Sequence, residues 1–196
     1  TLAIDVDNGA AGSGVVTVDG LRLTGGGDFD LSGSNLVGTI AANASGGKVR
    51  LQNAQALSVG TVGSTRYGST SSTTGITTND KAVTLATSAG DISIAQAIGA
   101  GTGIVALTAS TGAVNETGTA TVSAGGLVIN ALNSSDMNND NNVGKLSATI
   151  SGDDQGLDYV DVYVDVNGNG IVIDSLTDGT GTTHKGLSGD GEVWLT

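Results

Sequence analysis

The stretch from residue 83 to residue 132 repeats a short phrase, and this repetition limits the possible folds more than any other feature. Each unit places a few alternating apolar residues before small or glycine-rich turns, and the units begin at Val83, Ile104 and Leu127, 21 and 23 residues apart. A period of about 20–50 residues is typical of stacked-repeat architectures. Because no segment carries the i, i+3, i+4 apolar spacing of a helix, we predict strands and a β-solenoid.

The composition favours a narrow, layered interior. Glycine occupies 33 of the 196 positions and aromatic residues only 3%, so the apolar side chains are mainly Ala, Val, Ile and Leu. Slim aliphatic side chains suit coils that stack directly on one another. The chain has no cysteine, which excludes a disulfide framework, a thiol nucleophile and a zinc–thiolate site.

The charge balance limits the classes of partner. The net charge is −12 with only 7 Lys and Arg residues, which is too few to neutralise many phosphates, so nucleic acids and anionic membranes are disfavoured. No run approaches the ~18 apolar residues of a membrane span. The chain starts at Thr1 without a recognisable signal peptide, and we interpret it as a processed product or a fragment of a longer protein.

Short apolar runs of period two extend the pattern over residues 1–145, which we predict to be solenoid coils. Two polar segments, near residues 63–80 and at 133–145, interrupt them. The first is predicted to be a loop that bulges from one coil. The alternative is a binding loop that carries Arg66 and Tyr67, both of scarce residue types in this chain.

Residues 146–196 are predicted to form a C-terminal antiparallel extension, either a hairpin or a small sandwich. Valines alternate there with tyrosines and aspartates, which predicts a strand whose valines face inward. Its outer face is either solvated or a contact patch for another subunit or ligand. The Asn-Gly repeat at residues 167–170 suits a hairpin turn. The valines are Val160, Val162, Val164 and Val166, and the opposite residues are Tyr159, Asp161, Tyr163 and Asp165.

The repeats resemble those of filamentous-haemagglutinin-like and autotransporter-passenger exoproteins of bacteria. The element of that family, v-x-L-x-A-x-x-G-x-I, is matched by residues 83–86 with 90–92 and by 105–109 with 112–114. The resemblance covers about residues 81–132, is weaker over 1–62 and is absent over 150–196. It implies a right-handed parallel β-helix, export to the cell surface, and a role in adhesion or extracellular structure.

Two polar segments are candidate calcium sites. Residues 165–170 match the start of an EF-hand-type loop, in which alternate oxygens converge on the ion and a glycine permits the turn; a plain Asn-Gly hairpin explains the same residues. Residues 136–142 have the alternate oxygens without the glycine, and a solvated loop is the alternative. The candidate ligands are Asp165, Asn167, Asn169 and Asp174 for the first site and Asp136, Asn138 and Asp140 for the second.

Three functions follow as hypotheses. The first is a non-catalytic structural or adhesive module of an extracellular surface protein or fibre, whose partners are neighbouring repeats or further copies of itself. The second is a calcium-dependent module that binds glycans or another surface. The third, a polysaccharide-degrading enzyme, is disfavoured because no basic residue recurs with acids at a spacing that places them together on one face, so no acid–base constellation is evident. His184, the single histidine, is predicted to be an exposed surface residue.

Overall fold

The computed structural model describes residues 1–5, 9–66, 69–163, 170–189 and 191–196, and these form strands and turns without a helix. The all-β prediction is confirmed. In chain order the strands are β1 (Leu2–Asp5), β2 (Ala10–Gly12), β3 (Thr17–Gly25), β4 (Phe29–Ala44), β5 (Val49–Asn53), β6 (Leu57–Val59), β7 (Thr61–Arg66), β8 (Ser69–Thr74), β9 (Ile76–Thr78), β10 (Val83–Thr87), β11 (Ile92–Ile94), β12 (Ile98–Gly99), β13 (Ile104–Ala109), β14 (Val114–Glu116), β15 (Val122–Ala124), β16 (Gly126–Ala131), β17 (Ser135–Val143), β18 (Lys145–Ile150), β19 (Leu157–Asp161), β20 (Val172–Ile173), β21 (Ser175–Thr177), β22 (Thr183–Lys185), β23 (Leu187–Ser188) and β24 (Val193–Leu195).

Successive turns of the chain lie one on another in parallel register. Val83 pairs with Val49 on one side and with Val105 on the other, and Val105 pairs in turn with Leu127. Pairing of this kind continues over about 7 turns and confirms the predicted β-solenoid. The repeat is 22 residues from Val83 to Val105 and again to Leu127. The unit predicted to start at Ile104 therefore starts one residue later.

Each central turn contributes three strands, which stack into three ladders. Ladder one contains β6, β11, β14, β17, β19 and β24. Ladder two contains β9, β12, β15 and the end of β17. Ladder three contains β5, β10, β13, β16 and β18. A side chain that points inward from any ladder therefore meets the equivalent side chain of the next turn.

Alternation along each strand decides which side chains reach the common interior. In β10 buried and partly exposed residues alternate. Ladder three thereby brings four large aliphatic side chains into register, each with no exposed surface. Burial of a side chain of this size contributes about 1.5–3 kcal/mol. We call these residues the aliphatic column; they are Leu51, Leu85, Leu107 and Ile129.

Two turns are lengthened by antiparallel hairpins, β7–β8 and β21–β22. From Leu57 to Ile92, which are in register on ladder one, the chain takes 35 residues, whereas from Ile92 to Val114 it takes 22. The first hairpin lies at the polar insertion predicted near residues 63–80. The segment that bulges from this turn therefore contains the antiparallel strands β7 and β8, and β9 returns the chain to ladder two.

Each hairpin places an apolar side chain over a glycine of the solenoid. Val62 of the first hairpin lies on Gly20, where an added Cβ would come within 3.2 Å of Val62 Cγ1. Leu176 of the second lies on Gly126, where a Cβ would come within 2.9 Å of Leu176 Cδ2. Leu176 also packs against Val128 on the outer side of ladder three. The two glycines thus form the recesses into which the hairpins dock.

Parallel stacking continues past residue 145. Strands β18, β19 and β24 add further rungs to ladders three and one. An antiparallel C-terminal element is present as β21–β22, which docks on the solenoid. The strands on either side of the predicted Asn-Gly turn, β19 and β20, instead pair in parallel with β17 and β18. The division of the chain at residue 145 into two domains stays a prediction.

The strand that begins at Leu157 faces the opposite way from the prediction. Tyr159 is 1% exposed and Val162 is 51% exposed, so the tyrosine lies inside and the valine outside. The register is the reason, because Tyr159 stacks on the buried Met137 of the preceding turn. Residues 164–169, which include the last two of the four valines and most of the predicted hairpin turn, lie outside the described residues.

Two buried asparagines, Asn35 and Asn141, support bends of the chain with the same set of hydrogen bonds. Each Oδ1 accepts the backbone N–H of a residue 19 positions earlier, Val16 at 2.8 Å and Val122 at 2.7 Å. Each Nδ2 donates to three backbone carbonyls. Because backbone groups satisfy the amide of Asn141, residues 135–143 form strand β17 of the core rather than the polar loop predicted there.

Candidate functional site

A groove of about 460 Å³ lies on the outer side of ladder one, at its last turns. The register places Asn115, Asp136, Asp158 and Trp194 in one outward column. The turn before β19 and the segment before β24 complete the walls. The residues that line the groove are Ser134, Ser135, Asp136, Asp154, Gly156, Leu157, Asp158, Glu192 and Trp194.

The groove is acidic and carries one large exposed ring. Asp136, Asp154, Asp158 and Glu192 line it, and none of its described lining residues is basic. Trp194 is 62% exposed and donates its indole N–H to Glu192 Oε2 at 3.1 Å. An indole beside several carboxylates offers an apolar face next to hydrogen-bond acceptors, a combination suited to sugars and to organic cations.

The second predicted calcium site falls on β17. Asp136, Asn138 and Asp140 occupy exposed positions of this strand, whose register shifts between Met137 and Asn141. Alternate side chains start about 7 Å apart where a strand is extended, so extended pairing by itself does not gather their oxygens around one ion. Across the described ranges of the chain, no group of three His, Cys, Asp or Glu side chains could hold a metal. The calcium prediction for these residues stays a prediction.

Asp174, from the first predicted calcium site, is engaged in an ion pair. Its Oδ2 accepts a hydrogen bond from Lys145 Nζ at 2.7 Å, and this bond lowers the pKa of Asp174. The other predicted ligands, Asp165, Asn167 and Asn169, lie outside the described residues. Tyr67 and the side chain of Arg66, the basis of the predicted binding loop, also lie outside them.

Glu116 is a half-buried carboxylic acid at an inward position of ladder one that the sequence pattern did not reveal. It pairs in register with the inward Ile94. Its Oε2 accepts the N–H of Asn139 at 2.9 Å, while Oε1 is buried without a partner among the described residues. Burial raises the pKa of Glu116 from 4.5 to about 7, against the lowering effect of hydrogen bonds from Asn139 and Asn141. A 22-residue repeat carries Ile94 onto Glu116 and is the signal that could have found it.

Tyr159 lies in the same part of the interior. Its hydroxyl donates to Asp161 Oδ2 at 2.5 Å, and the same oxygen accepts the N–H of Val143 at 3.1 Å. Burial and the bond to Asp161 raise the pKa of Tyr159. Tyr159 is therefore part of the core, and the predicted outer surface or contact patch does not include it.

His184 is not the exposed surface residue predicted. Its side chain is 14% exposed, its Nε2 lies 3.0 Å from Asp178 Oδ2, and its Nδ1 lies 3.2 Å from Asn130 Nδ2 on ladder three. Burial alone would raise the pKa of Asp178, but hydrogen bonds from Thr180, His184 and backbone amides lower it below its ordinary value. This network fixes the second hairpin to the solenoid.

Comparisons with protein-family models, with curated proteins and with solved structures find no match to the chain. The described residues contain no helix that is long and apolar enough to cross a membrane.

Proposed function

We propose that this chain is a non-catalytic structural or adhesive module of an extracellular bacterial surface protein or fibre. The observation that carries the proposal is the aliphatic column, in register and fully buried over four consecutive turns. Resemblance of residues 81–132 to exoprotein repeats supports the extracellular location.

The stacking of the turns suits a mechanical role. About 7 turns at ~4.8 Å per turn give a rod roughly 34 Å long. Backbone hydrogen bonds between parallel strands run along the rod axis, so a pull along the axis loads many of them together. Because most backbone groups of the ladders are paired, the rod offers proteases few extended segments.

The charge of the rod supports exposure to solvent rather than contact with nucleic acid or anionic membranes. The net charge of −12 opposes side-by-side aggregation of rods at low salt. Neighbouring repeats of a longer chain or further copies of this chain are the proposed partners, because a solenoid buries its core only by stacking like units.

Limited proteolysis combined with electron microscopy tests the mechanical role. We expect a broad-specificity protease to cut first in the hairpin β7–β8, whose strand β8 is exposed at nearly every residue, and to leave the solenoid turns intact. Particles should have lengths near multiples of roughly 34 Å if copies associate. Early cleavage inside β10 to β16 would contradict the rod role, and a single particle length at every concentration would contradict self-association.

The groove supports a second candidate, the binding of glycans with or without calcium. The specific observation is Trp194, 62% exposed beside Asp158 and Glu192. Trp194 is the only tryptophan of the chain, so its fluorescence reports the groove directly. Titration with a panel of acidic and neutral oligosaccharides, in calcium and in chelator, should shift the emission, and an Asp158→Asn variant should weaken the response. Unchanged emission across the panel would remove this candidate.

A further inference from the structure

Glu116 interrupts an otherwise uncharged column of the interior. On ladder one, Ile94 pairs with Glu116. In the next turn Asn115 pairs with Asp136, so the residue that follows each of them brings Met137 next to Glu116. Met137 pairs in turn with Tyr159. We call Ile94, Glu116, Met137 and Tyr159 the mixed column. Ile94 and Met137, on either side of Glu116, have no exposed surface, so the carboxyl group is enclosed by apolar side chains along the rod axis.

The described strands that surround Glu116 supply no positive charge. Strands β11, β13, β16 and β17 pack against β14, and β19 lies one turn further on. Their titratable side chains are Asp136 and Asp140 on β17 and Asp158, Tyr159 and Asp161 on β19, and none of these five strands carries a basic residue. Asp136 opposes ionisation of Glu116 by charge repulsion.

The hydrogen bonds of Glu116 suit its neutral form better than its ionised form. Oε2 accepts one backbone N–H, from Asn139, and Oε1 has no partner within hydrogen-bond distance among the described residues. The amide of Asn141 lies near enough to lower the pKa of Glu116, but it donates to three backbone carbonyls. An ionised carboxylate needs donors at both oxygens, and leaving one buried oxygen unsatisfied is costly. Water can supply the missing donors only if the chain opens at the bend between ladders one and two, where Asn139 and Asn141 lie.

We propose that Glu116 makes residues 114–161 a pH-responsive segment of the rod, closed while its carboxyl group is protonated and locally open to water once it is ionised. Because the raised pKa of about 7 belongs to the folded state, the folded chain holds one more proton than the unfolded chain between about pH 4.5 and pH 7. The stability that this proton contributes is complete below that window and is lost as the pH rises through it.

Thermal melting of the chain and of Glu116→Gln between pH 5 and pH 8 tests the proposal. The glutamine keeps the shape of the side chain and an acceptor for Asn139 but cannot ionise. We expect the Tm of the wild type to fall about 5 °C more than that of the variant over this range. Asp19→Asn, which removes one exposed acid on β3, controls for the change in net charge and should follow the wild type.

Hydrogen exchange in the wild type provides a readout that does not depend on the folding of a variant. After correction for intrinsic exchange rates, protection of the Asn139 and Val122 amides should fall about tenfold between pH 5 and pH 8. Protection of the Val83 and Val105 amides on ladder three should stay constant. A uniform change at all four amides, or parallel Tm curves for the wild type and Glu116→Gln, would overturn the proposal.

Discussion

The aliphatic column and the mixed column are built on the same stack but differ in what holds them. Leu51, Leu85, Leu107 and Ile129 fill one side of the interior with carbon alone. On ladder one, Glu116 and Tyr159 occupy equivalent inward positions and depend on hydrogen bonds to Asn139 and Asp161. The difference shows that this solenoid admits polar groups at inward positions where hydrogen bonds meet at least part of their bonding capacity. Of the two, Glu116 is the group proposed to respond to pH.

Truncation in the aliphatic column should have the largest effect. Leu107→Ala removes a fully buried side chain that packs between Leu85 and Ile129, and we expect a loss of about 2–5 kcal/mol at any pH between 5 and 8. Urea unfolding measures it. Thr108→Ala, the adjacent outward residue of β13, should cost far less. Equal losses for the two variants would mean that the interior is not what holds the turns together.

Asn35 and Asn141 make equivalent hydrogen bonds, but only Asn141 lies beside the mixed column. Asn35→Ala and Asn141→Ala each leave a backbone N–H and three carbonyls without their partner, at a cost of about 2–3 kcal/mol. The amide of Asn141 also lowers the pKa of Glu116. The cost of Asn141→Ala should therefore grow above pH 7, when Glu116 ionises without the nearby amide, while the cost of Asn35→Ala stays level. Urea unfolding at pH 5 and pH 8 tests this, and identical pH profiles would contradict it.

The stacked architecture could be predicted because aliphatic alternation at a period near 22 residues is visible without any partner. The exact residue at which each repeat begins was harder to predict. Ile104 and Val105 are both apolar, and taking Ile104 as the start replaces the 22-residue repeat that places Glu116 on Ile94 with a 21-residue one. The alternation around Tyr159 likewise allows either face of the strand to point inward, and only the pairing of Tyr159 with the buried Met137 places the tyrosine inside.

Polar residues of the candidate regions were misread for a related reason. Asn141 is buried because backbone groups of the turns on either side of it satisfy its amide, so β17 has the composition of a loop and the position of a core strand. His184 contacts Asn130, which lies 54 residues earlier in the sequence, and a local sequence pattern does not predict a contact between residues so far apart in the chain. The groove follows equally from register, since Trp194 reaches Asp158 only through the pairing of β24 with β19.

Removal of one hydroxyl from the mixed column should have a smaller effect. Tyr159→Phe keeps the ring in the core but deletes the hydrogen bond to Asp161, which retains the N–H of Val143 as a donor. We expect the free energy of unfolding to fall by about 1–2 kcal/mol, since a hydrogen bond to a charged group contributes more stability than one between neutral groups. Urea unfolding at pH 7 measures the loss, and a stability equal to that of the wild type would contradict the dependence of this column on hydrogen bonds.

The smallest effect should come from the outer side of β5, a strand of ladder three, where Arg50 pairs in register with Asp30 of β4. Arg50 Nη1 lies 3.1 Å from Asp30 Oδ1, and both side chains are 27% exposed. Water and salt screen such a pair, so a double-mutant cycle with Asp30→Asn and Arg50→Gln should give a coupling of about 0.2–1 kcal/mol that shrinks in 1 M salt. Leu31 and Leu51, the inward neighbours of the pair, keep the two strands stacked without it. A coupling as large as the Leu107→Ala loss would show instead that charge on the surface, not carbon in the interior, holds ladder three in register.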